Sequence, residues 1–202
     1  TIADAEMLTY QDHGHIFNVL TFPTANASWV YDQTTERWHR RGYWNAAQMR
    51  YDYWKPRICF GAFGKQLIGE RATGTLSVMD ISFGLEADGA AIRRMRRAPG
   101  INHENMPIVY RRFELYMQTG IGLLSGQGST PMVMMRTSDD GGRTWLPERT
   151  SSAGAIGAFK TRVFWLRLGV SQDRVFEVSV SDPVPWMLID AYLNNDSPAR
   201  AA

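Results

Sequence analysis

Apolar and polar positions alternate along most of this chain in short runs, and glycine, proline, asparagine or aspartate closes each run. Period-two alternation marks strands with one face turned inward. Gly14 to Phe22 predicts a strand ended by Pro23, and Ser28–Asp32 and Arg37–Arg40 predict two more around the turn Gln33–Glu36, with Trp29, Tyr31 and Trp38 as apolar anchors. Asn45 to Tyr53 has only a mild helical flavour and reads as a loop. Arg57–Phe63 and Gln66–Arg71 predict a hairpin split by Gly64-Lys65, and Thr75–Phe83 a further strand. Pro107–Thr119 is the longest strand candidate, followed by a Gly/Ser loop to Thr130. Pro131–Thr137, Lys160–Leu168, Arg174–Ser181 and Trp186–Leu193 complete the set, with Ser151–Gly157 as a loop and a frayed polar tail from Asn194. Strands recurring roughly every ten residues, without an amphipathic helix between them, predict an all-β sandwich or propeller.

Two turns carry more specific chemistry. Ser138-Asp139-Asp140-Gly141-Gly142-Arg143-Thr144-Trp145 resembles the Asp-box, Ser-x-Asp-x-Gly-x-Thr-Trp, a hairpin common between outer strands of β-propeller blades. Ser138 and Asp140 are short acceptors for turn N–H groups, and Gly142 supplies positive φ. Thr144 and Trp145 then resume an extended strand, with the indole plugging the gap beneath the hairpin. Val30-Tyr31-Asp32 with Thr35 and Trp38 resembles the turn of kelch-type blades, in which the Asp and Thr close the loop. Residues 1–202 therefore read as a single all-β region of propeller-like blades. At roughly 40–50 residues per blade this makes a partial propeller. The chain opens on Thr1 without a Met, so it is expected to be the C-terminal part of a longer propeller protein.

Composition narrows the function classes. Hydrophobic residues at 44% and charged ones at 21% describe a folded core, large enough for one all-β domain or two small ones. Lys and Arg number 22 against 20 Asp and Glu, too even to hold nucleic acid by overall charge. The one cysteine, Cys59 between Ile58 and Phe60, excludes an intrachain disulfide and reads as an apolar filler. No apolar run reaches the ~20 residues of a membrane-spanning helix.

Candidate chemistry is sparse. His13 and His15, at i and i+2, share one face of a strand, but no third ligand accompanies them and no metal site is expected. His103-Glu104 lacks the second His of a zinc-protease helix, Pro107 standing in its place. Gly120 to Gly126 does not match a dinucleotide loop, and the chain holds neither a phosphate loop nor a nucleophile elbow. Asp139 and Asp140 invite a glycosidase reading, yet turn closure accounts for them better. The strongest charge cluster, Arg93, Arg94, Arg96 and Arg97 with Arg111 and Arg112, fits a protein interface better than DNA. On a strand, Arg93 and Arg97 share one face and Arg94 and Arg96 the other.

Several strings taken in order point to one family. They are Gly14-His15-x-Phe17, Leu20-Thr21-Phe22-Pro23-Thr24, Trp29-Val30-Tyr31-Asp32 with Trp38-His39, and the Asp-box. Arg162-Val163-x-Trp165-x-Arg167-Leu168-Gly169 and Asp173-Arg174-Val175-Phe176-Glu177-Val178-Ser179-Val180-Ser181-Asp182-Pro183 follow. The chain resembles the C-terminal half of the packaged-DNA stabilisation proteins of short-tailed bacteriophages, also called tail-hub or nozzle proteins.

The resemblance implies a structural virion protein of the tail, assembled in the host cytoplasm, without catalytic residues or cofactors. It implies a homo-oligomeric, six-fold ring below the portal and its adaptor protein. That ring extends the channel through which double-stranded DNA passes transiently, retains packaged DNA, and anchors a tail needle or tailspikes. The alternatives are a sialidase-like glycosidase and a glycan-binding propeller. An arginine triad beside a Tyr–Glu pair favours the former, and an exposed aromatic groove the latter.

Overall fold

The computed structural model describes residues 2–194, and among these every regular element is a strand. The chain divides into two compact units, one up to Phe83 and one from Gly84.

The first unit opens with an antiparallel meander of β1 (Glu6–Asp12), β2 (His15–Phe22), β3 (Ala27–Asp32) and β4 (Arg37–Arg40). A hairpin of β5 (Gly42–Asn45) and β6 (Arg50–Tyr53) follows, then a meander of β7 (Pro56–Ala62), β8 (Lys65–Glu70) and β9 (Leu76–Met79). Val19 and Val30 face each other across β2 and β3, both without exposed surface, and pack with Tyr10 and Trp54. Leu8, Phe17, Cys59 and Met79 close around them, so both meanders contribute to one core. Arg41 lies over the rings of Tyr10, Phe17 and Trp54. Its charge is thus accepted by π faces within a largely apolar setting. Cys59 is half-buried, and burial pushes its thiol pKa up.

Strand alternation reassigns the expected anchors. On β3 the inward positions are Ser28, Val30 and Asp32, so Trp29 and Tyr31 face outward. Trp38, on the edge strand β4, is 57% exposed and leans on Tyr31 at 5.0 Å between centroids. The expected loop Asn45–Tyr53 is instead the end of β5, a tight turn and all of β6, with Asn45 paired to Arg50. Strand β1 was not anticipated.

The second unit contains β10 (Arg94–Arg97), β11 (Ile101–Asn102), β12 (Ile108–Met117), β13 (Met132–Ser138), β14 (Arg149–Ser152), β15 (Val163–Ser171), β16 (Asp173–Val180) and β17 (Leu188–Leu193). One sheet runs β10-β16-β13-β14, with β11 also on β16; the other runs β15-β12-β17. Phe113, Leu115, Val163 and Trp165 from the second sheet meet Val133, Met135, Phe176 and Val178 from the first in one core. Phe113 stacks on Phe176 at 4.5 Å and on Trp165 at 5.9 Å, aromatic contacts worth about 0.5–1.5 kcal/mol each beyond the buried area. Two sheets sharing a face make a β-sandwich.

Where blades were expected, residues from Gly84 onward therefore form stacked sheets, and no ring of blades closes among the described residues. The reason is physical: turn chemistry fixes a local hairpin but not which sheets pack together. Strand β14 takes in Ser151 and Ser152, expected as loop, and β15 runs on to Ser171 through a bulge at Tyr110/Arg112. The Asn194 side chain accepts the Arg111 N–H at 2.7 Å and donates to the Val109 carbonyl at 2.8 Å, so this residue is tied to β12; the remainder of the expected tail lies outside the described residues.

Candidate functional site

The loop leaving β13 is built around one carboxylate. Ser138 Oγ donates to Asp140 Oδ1 at 2.6 Å and accepts the Gly142 N–H at 2.8 Å. Asp140 also accepts the N–H groups of Arg143 and Thr144 at 2.9 Å and the Thr144 hydroxyl at 2.6 Å. These donors, Ser138 and Thr144 first, hold the Asp140 carboxyl well below the usual carboxylate range. Gly142 has φ +92°, and an added Cβ would lie 3.5 Å from Trp145.

Past the turn the chain does not resume a strand at Thr144 as expected; β14 starts only at Arg149. The free segment lets Leu146 N–H reach back to the Thr137 carbonyl at 2.9 Å and lays Trp145 between two guanidinium groups. Arg97 and Arg136 stand 4.8 and 4.5 Å from its ring centroid. The two arginines are cross-strand partners of one residue, Glu177 on β16, which is 2% exposed. Arg97 Nη2 meets Glu177 Oε2 at 2.7 Å, and Arg136 Nη2 meets Oε1 at 2.6 Å. The outer face of this sheet thus carries a row Arg97–Glu177–Arg136 roofed by an indole, and β16 is buried on both sides.

Two further acid–base groups follow the same logic. Asp139 turns away from the loop and is gripped by Arg174, 3% exposed, at 2.6 and 2.8 Å. That pairing holds the Asp139 carboxyl below its ordinary range. Arg174 also lies 4.6 Å over Tyr110. On the second sheet, Glu114 is held by Arg112 at 2.8 Å and Arg162 at 2.7 Å, with Arg112 over the Phe164 ring. Sequence reading missed Glu177, Arg136, Arg174, Glu114 and Arg162 as a set. The one available signal was an isolated Glu within the apolar run Val175 to Val180.

The expected arginine interface separates. Arg93 donates to Ser179 Oγ at 3.1 Å, and Arg94 to the Val184 carbonyl at 3.0 Å, burial lowering the pKa of Arg94. Arg97 and Arg112 hold Glu177 and Glu114. Arg96 and Arg111 present exposed side chains.

In the first unit Asp32 accepts Thr34 N–H at 3.0 Å and Thr35 Oγ1 at 2.7 Å and pairs with His15 Nδ1 at 2.8 Å. Burial alone raises its pKa, but these partners outweigh it and bring it to about 2. His13 has φ 47° in the turn, outside the strand that carries His15, and pairs with Asp12 at 2.6 Å. The two histidines therefore do not share a strand face. An open groove of about 620 Å³ beside this turn is lined by Asp12, His13, Lys65, Gln66 and Asp80. No cluster of three or more metal-ligating side chains forms among the described residues.

Each carboxylate of the second unit's clusters is committed to the fold: Asp140 to its turn, Asp139 to Arg174, Glu177 and Glu114 to two arginines each. The arrangement is that of a rigid scaffold. A family model described as bacteriophage P22 Gp10, beta-sandwich, matches residues 93–195, just over half of the chain. The chain belongs to this family. The Gp10 match covers the span from β10 to β17, so the two stacked sheets and the family's beta-sandwich are the same part of the molecule. No curated protein matches the chain.

Proposed function

We propose that this Gp10-family chain is a structural subunit of a bacteriophage tail hub. In this reading several copies form a ring, six-fold as in the proteins it resembles, that prolongs the DNA channel below the portal and its adaptor. The ring retains packaged DNA and anchors a tail needle or spikes. The family match over the sandwich carries the reading. The even charge balance supports passage of DNA, since a strongly basic wall would hold phosphates. The up-and-down order of β1–β4 supports a propeller blade in the first unit, as part of a longer chain. Ser138, Asp140, Gly142 and Thr144, with Asp32 and Thr35, serve as hairpin staples and Trp145 as a roof; exposed Arg96 is offered to an interface. No catalytic residue is assigned. Arg97 and Arg136, which a sialidase would turn on a substrate carboxylate, are turned on Glu177 instead.

Gold-labelled antibody against the chain, applied to purified particles, tests the reading. Label at a single vertex of each particle is the expected outcome. Particles that carry no label, with the protein free in the lysate, would refute it.

A further inference from the structure

In the first unit the Phe17 ring is shared by His15, His39 and Arg41. His15 stacks on it at 5.7 Å between centroids, His39 meets it edge-on at 6.1 Å, and the Arg41 guanidinium stands 5.7 Å from its centroid. Their circumstances differ. His15 Nδ1 faces Asp32 at 2.8 Å, so a proton on His15 meets a carboxylate. Arg41 carries a permanent charge, lies over Tyr10 and Trp54 as well, and donates to the Tyr10 hydroxyl. His39 is half-buried beside Arg41, and Asp32, which opposes that charge, is already engaged by His15, Thr34 and Thr35. A proton on His39 therefore joins a fixed cation in an apolar setting. Burial first, and then the Arg41 charge, hold its pKa below the ordinary imidazole value. Burial pushes the pKa values of the nearby Tyr10 phenol and Cys59 thiol up, so both stay neutral in mild acid.

The position of His39 gives this a mechanical consequence. Strand β4 closes one edge of its sheet and pairs with β3. His39, opposite Val30, is the one residue of β4 turned inward, whereas Arg37, Trp38 and Arg40 are exposed. On the outer face Trp38 leans on Tyr31 and Arg40 lies over Trp29, contacts that mild acid leaves unchanged.

We propose that β4 is a proton-released edge strand, with His39 as the sensor and Arg41 as the fixed charge that opposes its proton. Lifting β4 from β3 carries the imidazole into water, where it takes up a proton freely. Acid therefore favours the open form, which uncovers the β3 edge as a template for another strand. The open form binds the proton more tightly, so closure is complete above about pH 6.5 and weakens as pH falls below it. The opening equilibrium can change by the full ratio of the two proton affinities. His15, whose proton faces Asp32, is not the sensor.

Hydrogen exchange of the Arg37–Arg41 amides, followed by NMR on the purified chain and corrected for intrinsic rates, tests the proposal between about pH 7 and 5. Protection there should fall by that ratio, in step with titration of the His39 imidazole, while β1 and β2 keep theirs. His39→Gln should hold protection level with pH, and Arg41→Gln should lessen its fall. An equal fall in His39→Gln, a fall shared by every strand of the first unit, or β4 protection that does not follow the His39 resonance would overturn the proposal. Should His39→Gln not fold, the match between imidazole and strand in the parent decides alone.

Discussion

Arg174 holds Asp139 through both carboxylate oxygens, at 2.6 and 2.8 Å, and so ties β16 to the loop that leaves β13. The next residue, Asp140, serves only the turn. Adjacent carboxylates therefore do separate work. Asp139→Asn should cost about 1–3 kcal/mol, because buried Arg174 loses its counter-charge. Urea denaturation of the purified chain reads the loss, and an unchanged midpoint would show the pair to be dispensable.

Glu177 keeps two arginine charges apart on neighbouring strands. Glu177→Ala should destabilise by about 1–3 kcal/mol, since Arg97 and Arg136 lose their shared carboxylate and are left facing each other, partly screened by solvent. Replacing all three by leucine should cost less than the single change, because no pair of like charges then remains. A triple-mutant cycle followed by chemical denaturation measures this non-additivity.

Trp145→Ala should cost about 2–4 kcal/mol through lost aromatic area and two lost cation–π contacts. Trp145→Phe should recover part of it. Gly142→Val should lower folding yield by forcing a β-branched residue to φ +92°. Near-ultraviolet circular dichroism and the soluble yield report both outcomes.

How much of this was legible in the sequence depended on the range of the interaction. The Ser138–Asp140 turn and the Asp32–Thr35 turn close within a few residues, so spacing alone revealed them. Arg97–Glu177 joins residues 80 apart, and Arg174–Asp139 joins residues 35 apart. Nothing local in Arg97 distinguishes it from Arg96. The arginine cluster read as one surface, when Arg93, Arg94, Arg97 and Arg112 each bind a group within the fold. Strand alternation was visible, but which face met another sheet was not, and so a sandwich read as blades.

Acid should unfold the protein along a defined limb. The Asp32 pKa, lowered to about 2, and the Asp140 pKa, lowered further, both lie below their unfolded values. Each therefore contributes stability that is complete above about pH 4 and is lost as pH falls toward their folded values. Asp32→Asn and Asp140→Asn should flatten the stability profile between about pH 4 and 2. Urea midpoints across that range provide the check; profiles parallel to the parent's would refute the assignment.

Strand β10 finds its partner only in β16, with Arg97 opposite a residue 80 positions later. At the ~5–20 residues per second of protein synthesis, β10 waits roughly 4–16 s on the ribosome before that partner exists. An apolar strand waiting so long would be an aggregation hazard. Arg94, Arg96 and Arg97 keep the waiting segment charged and soluble, and one of them becomes a strut only when Glu177 arrives.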